Sequence, residues 1–210
     1  MPTPAHHHPD FLILGLAGGI GSGKSAVAAI LGELGFVVSD SDAGARAVLE
    51  RAEVVAELVE AFGKGVLDGE GRPDRRAIAD AVFGDEARRK RLESIIHPKL
   101  HEERAVLVEA ARARGAAGVV IDAPLLFEAG VDKECDAVIY VDTPDAERLR
   151  RVVQGRGWTA QELARRESAQ LPLAEKRRRS DAVVVNDGDL ATLRERVALA
   201  LEAIRGGRDG

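Results

Sequence analysis

Gly18-Gly19-Ile20-Gly21-Ser22-Gly23-Lys24-Ser25 matches the pattern G-x-x-x-x-G-K-[ST] at every fixed position, and the reading of this stretch decides the fold. Its glycines permit a backbone turn whose N–H groups converge on anionic oxygens, and a helix starting near Lys24 adds the positive end of its dipole. Polyphosphate is the ligand that such a loop suits. Lys24 is expected to reach the β- and γ-phosphates, and the Ser25 hydroxyl to ligate Mg²⁺. The chemistry needs a strand immediately before the loop and a helix immediately after it. An apolar run from Phe11 to Ala17 supplies the strand; Val27, Ile30, Leu31 and Leu34, three or four residues apart, supply a helix that Gly35 stops. The alternative is a Gly-rich loop that merely packs a helix tightly against a strand.

Further short apolar runs occur at Phe36 to Ser39, Val119 to Asp122, Ala137 to Asp142 and Ala182 to Val185. They read as strands buried on both faces, and their alternation with helical stretches predicts a five-stranded parallel sheet with helices on both sides. The core comprises residues 11-42, 117-147 and 180-205. Between its first two parts, residues 43-116 are helical in pattern, broken by Gly63, Gly65, Gly69 and Gly71, and read as a helical insertion. Residues 148-179 carry ten Arg and Lys against three Glu, a net +7 within a chain of net charge -5, so this segment is expected to face a local anionic ligand. The competing reading is a solvated helix face.

The bulk composition excludes several classes. A chain of 210 residues, 45% hydrophobic and 31% charged, supports one α/β core with insertions and little disorder beyond the ends. Net acidity and 3% aromatics leave little for nucleic acid to bind or stack on, so no nucleic-acid partner is expected. No stretch approaches the roughly 20 apolar residues needed to span a bilayer, and no Lys or Arg precedes the first apolar run, so neither a membrane partner nor a signal peptide is expected. A cytoplasmic location follows, consistent with a lone cysteine, Cys135, that reads as a small buried hydrophobe. His6, His7 and His8 read as a solvated, frayed tail.

The acceptor end separates the classes that share this loop. The N-K-x-D motif by which GTPases read their base is excluded, because the only asparagine, Asn186, is followed by Asp187. Asp40 and Asp42 stand at the C-terminal end of the strand that follows the loop's helix, the edge at which open α/β sheets bind ligands. Asp40 is thus a candidate base for the proton of an attacking hydroxyl, with helix capping as the alternative there and at Asp42. Asp122, ending the third strand, is a candidate Mg²⁺-linked acid or a cap of the following turn. A small-molecule kinase is the class that remains.

The residues Gly15 to Ser25, the Asp40-Ser41-Asp42 triplet, Asp68-Gly69 with Asp74-Arg75, His97-Pro98, Pro124-Leu-Leu-Phe-Glu128 and Asp181 through Asn186 resemble the dephospho-coenzyme A kinase family in order and spacing, from Leu14 to about Leu201. The resemblance implies a three-layer P-loop NTPase fold with a helical acceptor-binding insertion and a lid at 148-179. It also implies ATP-dependent phosphorylation of the 3′-hydroxyl of dephospho-CoA, with Mg²⁺ as cofactor. By that likeness Lys24, Asp40, Arg151 and Arg156 are catalytic. ATP contacts run from Gly18 through Gly19, Ile20, Gly21, Ser22, Gly23, Lys24 and Ser25 and include Asn186, near the adenine. Asp40, His97 and Pro98 contact the acceptor, and Ser25 and Asp122 hold the metal. A monomer is the favoured state. The chain departs from the family pattern at Ala26, where Thr is common, and at Ser41, where Ala is usual.

Other residues carry two readings each. His97 either donates to the acceptor or packs at a helix break, since Pro98 disfavours helical geometry before it. Glu128 faces the acceptor or makes a salt bridge. Asp68-Gly69 reads as a turn, Asp74 as a helix N-cap, and Trp158 with Leu163 as the seat of the lid helix.

Overall fold

A run such as Leu-Ile-Leu-Gly-Leu-Ala, apolar at every position, has no solvated face to offer, so it must lie inside a sheet covered on both sides. The computed structural model, which describes residues 11–207, has it there; His6, His7 and His8 lie outside the described residues. The elements in order are β1 (Leu12–Gly18), α1 (Lys24–Glu33), β2 (Phe36–Asp40), α2 (Ser41–Leu49), α3 (Ala52–Phe62), α4 (Arg75–Val82) and α5 (Glu86–Ala113). They continue with β3 (Gly118–Asp122), β4 (Ala137–Asp142), α6 (Asp145–Arg156), α7 (Ala160–Glu167), α8 (Leu173–Arg178), β5 (Ala182–Val185) and α9 (Leu190–Gly206). Each expected strand is present to within one residue at either end.

The chain forms two compact units, Ser41–Leu107 and the remainder. In the larger unit all pairings are parallel and the strand order is β2-β3-β1-β4-β5, which puts the loop-bearing strand in the centre. Side chains alternate across a strand. Leu14 and Leu16 therefore share one face with Ile139 and Val141, and there meet Val27 and Leu31 of α1 and Val197 and Leu201 of α9. Gly15 points to the other face, against Leu126 and Cys135, completing three layers. Cys135 is half-buried and its Sγ donates to the Val131 carbonyl, 3.4 Å. The connection from β1 to β2 and the one from β3 to β4 leave the centre in opposite directions, and the crevice such a reversal creates lies beyond the strands' C-terminal ends. Register aligns that edge: Asp40 is opposite Asp122, and Asp122 opposite Leu16.

The smaller unit is helical, around Val48, Val54, Leu58, Val66, Ile78 and Ile95. It starts at Ser41 and ends at Leu107, inside α5, against the sequence reading of 43-116. Glycine does interrupt it, Gly63 ending α3 before a 3₁₀ turn at Lys64–Val66. Asp68 forms the expected turn by accepting from the N–H groups of Glu70 and Arg72, 2.9 Å each. Asp74 caps α4 through the N–H groups of Arg76, 2.8 Å, and Ala77, 3.2 Å. One of the two readings at His97 is ruled out: Pro98 breaks no helix. It sits inside the 28-residue α5, which continues on both sides of it and forgoes the one hydrogen bond that proline cannot donate. Among the described residues no helix is long and apolar enough to cross a membrane.

Leu31 has no exposed surface, whereas Leu34, at the end of the same helix, is 44% exposed. Leu31→Ala should therefore cost about 2–5 kcal/mol in urea unfolding and Leu34→Ala about 1 kcal/mol or less, because only the first leaves a cavity.

Candidate active site

The loop between β1 and α1 owes its shape to the carbonyl of Ser22. Three donors converge on it: Thr143 Oγ1 at 2.8 Å, Asn186 Nδ2 at 2.8 Å and Arg151 Nη1 at 3.3 Å. They come from the end of β4, the end of β5 and α6. In a trans peptide the C=O and the following N–H point in opposite directions, so fixing this carbonyl turns the Gly23 N–H away from that shelf. Only glycine fits at 23: its φ is 87°, and a Cβ there would overlap the Asn186 amide. No side chain caps α1, and no acidic residue lies in its first turn, so the helix's positive end is left for an external anion.

Lys24 Nζ lies over the loop, 3.3 Å from the Gly18 carbonyl oxygen and 3.4 Å from that of Gly19. Burial holds its pKa below the usual lysine range; Asp122 opposes that shift, and the charges of Lys176, Arg156 and Arg148 add to it. A cation held in so cationic a setting is poised for a polyanion. The Ser25 hydroxyl donates to Asp122 Oδ2 at 3.1 Å. These two hard oxygen donors suit Mg²⁺, which takes few protein ligands and completes its shell with phosphate oxygens and water. Among the described residues no group of three His, Cys, Asp or Glu forms an all-protein metal cage, and such a site does not require one.

Asp40 ends β2 and directly precedes α2, so its position satisfies both the catalytic and the capping reading. Asp42 falls in the first turn of α2. His97 and Pro98 lie within α5, in the smaller unit. Glu128 makes the salt bridge rather than standing open: its Oε1 accepts from Lys176 Nζ, 2.9 Å, and from the Leu171 N–H, 2.9 Å, and these partners hold its pKa below the usual range despite burial.

The basic stretch is three helices, not one exposed face. Arg151 is drawn inward, donating to Glu147 Oε1 at 2.8 Å and the Asn186 carbonyl at 3.4 Å as well as to Ser22. Arg150 and then Arg151 hold the Glu147 carboxylate down to about 2. Arg156 stacks on Trp158, 5.0 Å from the ring centre, and Arg166 does so at 4.1 Å, while Leu163 is buried as the seat of α7.

Sequence reasoning missed three residues. Thr143, directly after β4, belongs to no motif that marks it in the sequence. Arg148 and Lys176 were read only as part of the basic stretch expected to face an anionic ligand, but they are 4% and 2% exposed. Spacing held the signal: Arg148 is four residues before buried Val152, and Lys176 is three after Leu173 on α8.

The sequence profile of the family described as Dephospho-CoA kinase matches residues 12–192. The chain is 45% identical to the Dephospho-CoA kinase of Deinococcus radiodurans over 91% of each protein. It is 41% identical to that of Geobacillus kaustophilus, over 91% of this chain and 96% of the relative. The crystal structure of TT1252 from Thermus thermophilus superposes with a TM-score of 0.78 at 40% identity, covering 92% of this chain and 97% of that one.

A bound triphosphate should raise the depressed pKa of Lys24. At alkaline pH, where free Lys24 begins to lose its proton, ATP binding should therefore take up protons, and the buffer dependence of the calorimetric enthalpy should show it. Lys24→Met should abolish that uptake.

Proposed function

From the premise that this chain belongs to the dephospho-CoA kinase family, we propose that it moves the γ-phosphoryl group of ATP to the 3′-hydroxyl of dephospho-CoA, giving CoA and ADP. The observation that carries this reading is the register across β2, β3 and β1. It lines up Asp40, Asp122 and the start of the phosphate loop on one sheet edge, with Ser25 hydrogen-bonded to Asp122. A base, a metal-binding pair and a phosphate cradle at one edge suit phosphoryl transfer to an alcohol.

In this reading the loop amides from Gly18 to Ser25 and Lys24 grip the triphosphate, and Lys24 follows negative charge as it shifts toward the leaving ADP. Ser25 and Asp122 would hold Mg²⁺, which would neutralise charge on the phosphate oxygens. Asp40 accepts the proton of the ribose hydroxyl as its oxygen forms the new bond to phosphorus and the bond to the ADP oxygen breaks. Arg151 and Arg156 stabilise the transferring group with planar donors suited to phosphate. Asn186 serves the nucleotide side through its bond to Ser22, and its adenine contact, like the assignment of His97 and Pro98 to the acceptor, rests on family likeness. Residues 148-179 act as a lid that excludes competing water. A monomer in the cytoplasm, without nucleic-acid or membrane partner, belongs to the same reading.

Coupled ADP release measured with dephospho-CoA, AMP, GMP and shikimate should be fastest with dephospho-CoA; faster turnover of another acceptor would reassign the substrate. Asp40→Asn should leave ATP affinity nearly intact and lower kcat by about 10² or more, the scale of a general base. Normal turnover in that variant would return Asp40 to capping. Arg156→Ala should lower kcat at least about tenfold, as loss of a charge-stabilising donor does.

A further inference from the structure

Arg148 has no role in the reaction as described, yet its side chain is 5% exposed, and a buried cation must be matched closely to be tolerated. Its partners come from three places. Nη2 donates to Asp145 Oδ1 at 2.7 Å, and Nη1 donates to Glu167 at the end of α7 and to the Ile20 carbonyl, 3.2 Å, in the middle of the phosphate loop. Nε is buried without a partner, so the guanidinium is not placed to satisfy its own donors fully. It also fills the space beside Gly19. A Cβ at that residue would stand 2.7 Å from Nη1 and 3.0 Å from Cζ, although no left-handed backbone demands glycine there.

The geometry points to Arg148 as a positioning residue that sets the Gly19–Gly21 arm of the phosphate loop and ties that arm to helix α7 through Glu167. Fixing the Ile20 carbonyl against the guanidinium turns the following N–H, that of Gly21, to the opposite side of the backbone. Ser22 receives the same treatment from Thr143, Asn186 and Arg151, so the two carbonyls flanking Gly21 and Ser22 are both held on the protein side. Without Arg148 the arm keeps its glycine freedom, and that freedom must be lost when nucleotide binds. The cost falls on ATP affinity rather than on recognition of the acceptor.

This inference rests on the loop being the triphosphate site, and calorimetric titration of the full chain with MgATP alone, without acceptor, separates the two. Absence of ATP binding by the unaltered protein overturns the site itself. If it binds, Arg148→Met should raise the ATP Kd at least about tenfold, the scale of one hydrogen bond to a charged group, with the KM for dephospho-CoA changed less than about twofold. Arg148→Lys, which retains charge and a donor, should recover part of the loss. Gly19→Ala should weaken ATP binding by about tenfold or more in the unaltered protein but by less than about threefold when combined with Arg148→Ala, where the space has been vacated. An ATP Kd within twofold of normal in a folded Arg148→Met variant, or an equal penalty for Gly19→Ala in both backgrounds, overturns the proposal. Should Arg148→Met not fold, the Arg148→Lys and Gly19→Ala titrations decide it.

Discussion

Two carbonyl oxygens, those of Ile20 and Ser22, govern the rest of the site. A glycine-rich loop has every conformation open to it, and the dipeptide units that cradle phosphate are useful only when their N–H groups face one way. Here the required orientation is imposed from behind, by a hydroxyl, an amide and two guanidinium groups that hold the carbonyls on the protein side. Thr143, Arg148, Arg151 and Asn186 lie 121 to 164 residues along the chain from the carbonyls they hold, so the loop's shape is a property of the assembled sheet edge.

The same logic explains why so basic a segment is not simply a cationic surface. Glu147 pairs with Arg150 and Arg151, Glu162 with Arg165 and Arg166, and Glu175 with Arg178, all at helical spacing. Such short-range pairs add little to stability and serve mainly to solvate a helix. Arg148 and Lys176 differ in kind. Each is withdrawn from water, each is bonded to a carboxylate from another element, and each adds to the positive field in which Lys24 sits. Glu167 and Gln170, their partners at the α7–α8 turn, fasten that turn at two points. Burial first, and these cations after it, hold the Lys24 pKa down against the pull of Asp122, as suits a site that receives an anion.

Legibility varied with the range of the interaction. Strand positions could be read almost to the residue, because a strand covered on both faces must be apolar throughout. The cap at Asp74 and the turn at Asp68 could be read because a carboxylate and the amides it serves are neighbours in sequence. Asp40 was found through strand logic, being the last residue of the run after α1. The helix break weighed at Pro98 does not occur, since the local preference against helix before proline is outweighed by the long helix around it. Arg148 and Lys176 were missed because a buried cation and a surface one are written with the same letter, and Thr143 because a hydroxyl in the sequence does not show what it will bond. Their partners lie 19, 48 and 121 residues away in the chain.

The chain by itself determined what depends on near neighbours: a phosphate loop between a strand and a helix, five buried strands, a helical insertion, and a carboxylate at the end of the second strand. Turn chemistry and hydrophobic period act over a few residues and survive in one dimension. Tertiary structure alone decided the strand order that sets β3 between β2 and β1, bringing Asp40 and Asp122 into one register and Asp122 to Ser25. It also decided which cations were buried against the loop. Both outcomes turn on which distant segments are packed side by side, and that is settled by the shared core of the sheet rather than by any local pattern.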